Sequence, residues 1–281
     1  VASCAAVKFE KWHALGNDYV ILESEDLPWE LNPARVRAIC APHTGVAADG
    51  VLLLTGKDRP RMQVFNPDGS EAEVSGNGAR EAILYLYRHG YSGPIETAAG
   101  ELRPTIISER ACRVDMGKAR LRSEDFPSGT PDGVGELQAG GRTWRFRHVQ
   151  VGNPQCAIRA ETEGDLAALD ITRIGPEIEH HELFPNRTNV SWYAPIEVGR
   201  IRARIFERGV GETSASGTGA TGAAVAHVLD GGSSPVTVAL DGGELEVEVG
   251  EDLTINLSGW AVPVFSGALA DDFLEDLNAI E

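Results

Sequence analysis

Short stretches in which apolar, β-branched and aromatic residues alternate with polar ones recur along most of the chain. Val7–Phe9, Val51–Leu54, Met62–Phe65, Arg103–Ile107, Arg113–Met116, Trp144–Val151, Asn189–Tyr193, Ile201–Phe206, Leu245–Val249 and Leu253–Leu257 carry this pattern, which predicts strands. A longer period runs between them. From Ala79 to His89 the apolar positions Ala82, Ile83, Leu86 and Tyr87 share one helix face, and Ala220 to Asp230 reads as a second helix. Arg35–Cys40 and Leu166–Ile178 predict further helices, the second less regular, and the tail Leu269–Ile280 is acidic and amphipathic. Many strands with few helices among them predict an α+β fold.

The pattern occurs twice. Ser75-Gly-Asn-Gly-Ala79 returns as Ser216-Gly-Thr-Gly-Ala220, 216 − 75 = 141 positions later, and Glu71 and Glu212 share that offset. Each copy opens a predicted helix, and the helices stop at Gly90 and Gly231. Beyond the stops, Thr97-Ala-Ala-Gly-Glu-Leu102 matches Leu240-Asp-Gly-Gly-Glu-Leu245, each a turn between strand-like runs. Upstream, Gly16-Asn17 before Tyr19–Leu22 is echoed by Gly152-Asn153 before Cys156–Ile158. Four coincidences in the same order identify two homologous halves. Charges, Pro127 and Gly129 interrupt the pattern between Gly117 and Thr130. The expected domains are therefore 1–118 and 119–263, with 264–281 packing back on the first.

Composition narrows the function. The chain has 281 residues, 42% hydrophobic and 24% charged, which is enough apolar material for a core. Its net charge of −17 would be repelled by phosphate backbones and anionic lipid, so neither nucleic acid nor a membrane is an expected partner. No apolar run reaches the roughly 18 residues of a spanning helix. The segment Val1–Val7 lacks the basic start and apolar stretch of a signal peptide, which predicts a cytoplasmic protein. On that reading, Asn186-Arg-Thr188 and Asn189-Val-Ser191 match the glycosylation pattern by chance. Cys4, Cys40, Cys112 and Cys156 form no CxxC pair and read as free thiols; no metal site is expected.

The repeated Ser-Gly-x-Gly-Ala motif suits an anion. Unpaired N–H groups and the helix dipole attract negative charge, and glycine lets a ligand approach the backbone. Two such helix starts aimed at one cleft would hold a carboxylate without lysine. Gly217-Thr-Gly-Ala-Thr-Gly222 also fits GxGxxG, but ten residues separate it from the strand before it, and Glu81 replaces the third glycine in the sister copy. No Gly-Lys-Ser/Thr follows, so a P-loop is excluded as well.

His13-Ala-Leu-Gly-Asn-Asp-Tyr19, Phe65-Asn-Pro-Asp-Gly-Ser70, Ser75-Gly-Asn-Gly-Ala-Arg80, Val151-Gly-Asn-Pro154, Arg187-Thr-Asn189 and Glu207-Arg-Gly-Val-Gly-Glu-Thr213 follow one another in an order that resembles diaminopimelate epimerase. The resemblance spans essentially the whole chain. It implies two pseudo-symmetric α+β domains, each a curved mixed sheet or barrel around a central helix, with the active site in the interdomain cleft. It also implies epimerisation of LL-diaminopimelate to the meso form in lysine and peptidoglycan-precursor synthesis, without pyridoxal phosphate or metal, in a cytoplasmic homodimer. By the same likeness Asn17, Asn66, Asn153, Asn189 and Arg208 would hold the distal end of the substrate. Gly76, Asn77, Gly217 and Thr218 would receive the reacting carboxylate, and Glu207 joins the substrate-binding set.

Ser75 and Ser216 stand where the resemblance implies a thiolate and a thiol. A hydroxyl supplies no comparable resting anion. Gln155 replaces a histidine that usually follows Gly-Asn-Pro, and Gly50 a glutamine found in some relatives. Three readings stay open: serines introduced to trap substrate, serines working as acid and base with help from Glu71, Glu207 or Glu212, or binding without turnover. A dehydratase acting on a hydroxylated amino acid and a sensor of diamino acids are the rival functions.

Overall fold

The computed structural model describes residues 6–72, 75–98 and 100–280; Cys4 lies outside them. The chain divides into two compact units, Val1–Arg113 with Trp260–Glu281, and Val114–Gly259.

The first unit contains β1 (Lys8–Ala14), β2 (Asn17–Glu23), α1 (Pro33–Cys40), β3 (Val51–Thr55), β4 (Arg61–Phe65), β5 (Glu71–Ala72), α2 (Gly76–Arg88), β6 (Ile95–Thr97) and β7 (Gly100–Leu102). After β8 (Pro104–Ser108), the strand β9 (Ala111–Lys118) carries the chain into the second unit. There follow β10 (Val134–Ala139), β11 (Arg142–Val151), β12 (Asn153–Arg159), α3 (Glu163–Ala167), α4 (Ile171–Glu179), β13 (Asn189–Glu197), β14 (Arg200–Glu207) and β15 (Gly211–Thr213). The unit ends with α5 (Gly217–Leu229), β16 (Val236–Leu240), β17 (Gly243–Val249) and β18 (Thr254–Trp260). β19 (Val262–Ala268) and α6 (Asp271–Asn278) return to the first unit.

Both sheets are mixed and open. The first runs β19-β1-β2-β3-β4-β6-β7 with β5 on β4; the second runs β10-β11-β12-β13-β14-β16-β17-β18-β9-β8 with β15 on β14. The duplication is legible in the register. Val64 pairs with Ala72 and Phe65 with Glu71, while Ile205 pairs with Thr213 and Phe206 with Glu212, every residue displaced by 141. The helices α2 and α5 start and stop at the same offset. β2 and β3 are parallel, as are β12 and β13, and β4–β6 is matched by β14–β16.

Composition explains how each helix is enclosed. From Gly217 to His227 every residue of α5 is buried, and the run of Gly, Ala and Thr lets β11, β12, β13, β14, β16 and β17 approach it from several sides. The helix α2 is buried from Asn77 to Tyr85 and packs on β1, β2, β3 and β19. Leu274 and Leu277 of α6 join Val36, Ile39, Val51 and Leu53 in the first unit's core. Trp144, Phe146, Ile174, Phe184 and Trp192 anchor the second.

Several expectations change; β10 and β16, for example, lay outside the predicted strands. The predicted helix Leu166–Ile178 is two short helices, because Thr162 caps α3 in a capping box and Asp170 accepts from Arg173 N–H to start α4 afresh. β19 was not expected, since Pro263, Ser266 and Gly267 weaken its local pattern; pairing with β1 along Lys8↔Ala268 to His13↔Val262 creates it.

Candidate active site

In the first unit, Ser75 has extended backbone and caps α2, its Oγ accepting from Gly78 N–H at 3.1 Å. The Tyr19 hydroxyl donates to the same oxygen at 3.1 Å. Asn77, one turn into the helix start, donates through Nδ2 to Asn17 Oδ1 at 3.2 Å. Asn17 in turn donates to Asp49 at 3.0 Å, and Asp49 also accepts from Asp18 N–H. Asn17 and Asn77 are therefore joined in one polar cluster, and Ser75, two residues before Asn77, is bonded to Tyr19, two residues after Asn17. Gly76 belongs to the cluster through Arg80, whose Nη1 donates to the Gly76 carbonyl at 2.9 Å while Nη2 donates to Asn77 Oδ1 at 2.6 Å. Asn66 is not bonded into that cluster; it closes its own turn, donating through Nδ2 to Ser70 Oγ at 3.0 Å.

The second unit repeats the plan with different chemistry. Ser216 caps α5, accepting from Gly219 N–H at 3.2 Å. Glu207 accepts from Thr213 Oγ1 at 2.9 Å; burial raises its carboxyl above the ordinary range, partly offset by the Thr213 and Ser216 hydroxyls. Of the three acids expected to help the serines, only the Glu207 carboxyl is influenced by a capping serine, since Glu71 accepts from Gln63 and Glu212 pairs with Arg204. Thr221, at the position matching Arg80, donates to the Gly217 carbonyl at 2.8 Å. Gly217 and Thr218 form the buried first turn of α5.

Asn189 accepts from Arg208 N–H at 2.8 Å and donates to the Pro154 carbonyl at 3.0 Å, joining the Arg208 loop to the strand that carries Asn153. Buried Gln155 donates to Asn153 Oδ1 at 2.6 Å, and a Cβ on Gly222 would stand 2.7 Å from its own Cβ. The loop is further held by Glu179, which accepts from Gly209 N–H at 2.9 Å and from Arg187 at 3.1 Å. Arg208 Nη1 donates to the Asn186 carbonyl at 2.9 Å.

Tyr19, Arg80, Asp49 and Glu179 carry no signal by themselves in the sequence. Tyr19 and Arg80 end the motifs His13–Tyr19 and Ser75–Arg80, but their hydrogen bonds depend on which elements become neighbours. Gly50 acquires a steric reason: a Cβ there would lie 2.3 Å from the Phe65 carbonyl oxygen and 2.6 Å from Tyr19 Cε1. Among the described residues the thiols Cys40, Cys112 and Cys156 are buried and held in the neutral form. Burial pushes Cys40 and Cys112 up to about 12, and Cys156 well above the ordinary value.

Arg80 is followed by a second buried charge. Glu81 has no side-chain hydrogen-bond partner among the described residues, and desolvation holds its carboxyl well above the ordinary range despite nearby Arg80. A raised folded value favours the protonated form, so this contribution is fully present at low pH. It is lost as pH climbs from the unfolded value toward the folded one. The Glu81→Gln variant cannot ionise. Its advantage over the parent is expected to be near zero at acid pH and to grow as pH rises toward neutrality. Urea unfolding at two pH values reads this directly, and a pH-independent difference would refute it.

The fold places the chain in a structural class of duplicated α+β proteins. A phenazine biosynthesis PhzC/PhzF protein from Clostridium difficile superposes with a TM-score of 0.67 at 12% identity, covering 94% of this chain and 100% of that one. A hydroxyproline epimerase from Agrobacterium vitis, solved with trans-4-hydroxy-L-proline, gives 0.63 at 13% identity, covering 94% and 91%. At such identities the likeness concerns the fold alone. Sequence goes further. The diaminopimelate epimerase family matches residues 9–122 and again 147–260, one match in each half. The diaminopimelate epimerase of Moorella thermoacetica is 41% identical over 276 residues, 92% of this chain and 98% of that relative. That of Synechococcus sp. (strain JA-3-3Ab) is 39% identical over 281 residues, 94% and 99%. The chain belongs to the diaminopimelate epimerase family.

Proposed function

We propose that this protein is an isomerase that converts LL-diaminopimelate to meso-diaminopimelate by removing a proton from one face of Cα and returning one to the other. One observation carries the reading: the family match falls once on each half, and each match contains a serine-capped glycine helix start. The activity shared by the relatives favours epimerisation over the dehydratase and sensor readings.

In this reading the two domains are 1–118 and 119–263, with 264–281 belonging to the first, and each contributes one serine-capped helix start to the chemistry. Ser75 and Ser216 take the acid and base positions. The first-turn N–H groups of Gly76, Asn77, Gly217 and Thr218 hold the reacting carboxylate. Asn17, Asn66, Asn153 and Asn189 offer amide donors and acceptors to the distal amino acid, Arg208 grips its carboxylate, and Glu207 faces the reacting end. The Asn17–Asn77 and Asn189–Arg208 hydrogen bonds support this grouping. A cytoplasmic homodimer completes the proposal. The edge strand β19 exposes Val264 and Phe265, an apolar edge that a second copy would cover.

Incubating the chain with LL-diaminopimelate in heavy water tests the reading. Meso product carrying deuterium at the inverted carbon is expected. Absence of exchange in the parent and in the Ser75→Cys/Ser216→Cys variant would overturn it.

A further inference from the structure

The two capping serines differ in what surrounds their hydroxyls. Ser75 Oγ accepts from Gly78 N–H and from the Tyr19 hydroxyl, each at 3.1 Å. Both lone pairs are engaged, so its own proton is the group left to give. Ser216 Oγ accepts from Gly219 N–H, and its hydroxyl acts on the buried Glu207 carboxyl, partly offsetting the upward push of burial. One hydroxyl is furnished to donate outward, the other to surrender its proton inward.

Tyr19 reaches Ser75 through the sheet. It sits on β2 opposite Trp12, is only 5% exposed, and presses its ring edge into the space that Gly50 leaves open. At the matching place in the second half, Gln155 bonds Asn153 and Ser191 and has nothing to ionise.

We propose that Tyr19 is the internal proton source for Ser75, so that the serine chain works through two side-chain pairs, Tyr19–Ser75 donating and Glu207–Ser216 accepting. The inference rests on the epimerase reading above. Ser216 Oγ takes the Cα proton as its own passes to the Glu207 carboxylate, and the electron pair left on Cα spreads into the substrate carboxylate. Ser75 then gives its proton to Cα from the other face. The Tyr19 phenol proton moves to Ser75 Oγ, leaving phenolate, and the proton on Glu207 returns to Tyr19 through solvent. Nothing is consumed. A phenol, with an ordinary pKa near 10, is far more acidic than an alcohol and so neutralises the alkoxide that Ser75 would otherwise become. Tyr19 acts through Ser75 and is a positioning residue.

The test is Tyr19→Phe, made in the parent and in the Ser75→Cys/Ser216→Cys background, with α-hydrogen exchange of diaminopimelate measured in heavy water. Exchange by the serine chain is expected to fall about 10²-fold, the scale of one general acid. The loss should exceed that in the cysteine background at least about tenfold, because a thiol ionises without a relay. Equal losses in both backgrounds would mark a packing role and overturn the proposal. Undiminished exchange in the serine variant would overturn it too, as would a silent serine chain beside an active cysteine variant. Silence in every form would instead overturn the epimerase reading on which it rests.

Discussion

The Ser75→Cys/Ser216→Cys variant is expected to exchange the α-hydrogen of diaminopimelate about 10²–10⁴-fold faster than the parent chain. Both serines cap helices of 13 residues, Gly76–Arg88 and Gly217–Leu229, with N–H groups of Gly78 and Gly219 aimed at their oxygens. That setting stabilises an anion through hydrogen bonds and the helix dipole. An alcohol gains little, because its ordinary pKa lies so far above neutrality. A thiol starts near 8.5 and at helix N-termini commonly falls to roughly 3.5–7.5, within reach of working pH. Either single variant leaves one weak hydroxyl in a two-base reaction and should recover less than the pair. Sulfur is a poorer cap than oxygen, so each replacement should cost about 1 kcal/mol of stability. Mass spectrometry of recovered substrate reads the rate; a double variant no faster than the parent would refute the acid and base assignments.

Arg80→Met should cost about 3 kcal/mol of unfolding free energy and weaken diaminopimelate binding. Arg80 is fully buried at the root of α2, and burial lowers its guanidinium to about 10. Methionine fills similar space and removes a desolvated charge, which by itself favours the variant. The partners decide the sign. The Gly76 carbonyl and Asn77 Oδ1 lose their donors while remaining buried or half-buried, and Glu81 loses the nearest positive charge. Asn77 is then free to turn away from Asn17. Thr221→Val removes the single equivalent bond in α5 and should cost only about 1 kcal/mol, which separates the Arg80 effect from generic loss at a helix start. Denaturant titration with calorimetric binding checks both; an Arg80→Met variant within about 1 kcal/mol of the parent would sink the argument.

Local signals carried most of the fold. Ser75 and Ser216 stand as caps where an extended residue precedes glycine, and Gly90 and Gly231 adopt positive φ where the helices were expected to stop. Such features depend on a few neighbouring residues and survive in any context. The helix Leu166–Ile178 failed because two caps, Thr162 and Asp170, outweighed a loose apolar period. β19 was missed because its pattern is weak without the strand beside it.

By itself the sequence determined that the chain is duplicated and where the paired helices begin, each capped by a serine before glycine. Repetition and capping are short-range properties, written in residues a few positions apart. Only the tertiary structure decided that Tyr19 donates to Ser75 across 56 positions, that buried Arg80 donates to Asn77, and that Glu71 and Glu212 are taken up by Gln63 and Arg204. Those contacts follow from strand order and register, and a period-2 pattern names the buried face of a strand without naming its neighbour.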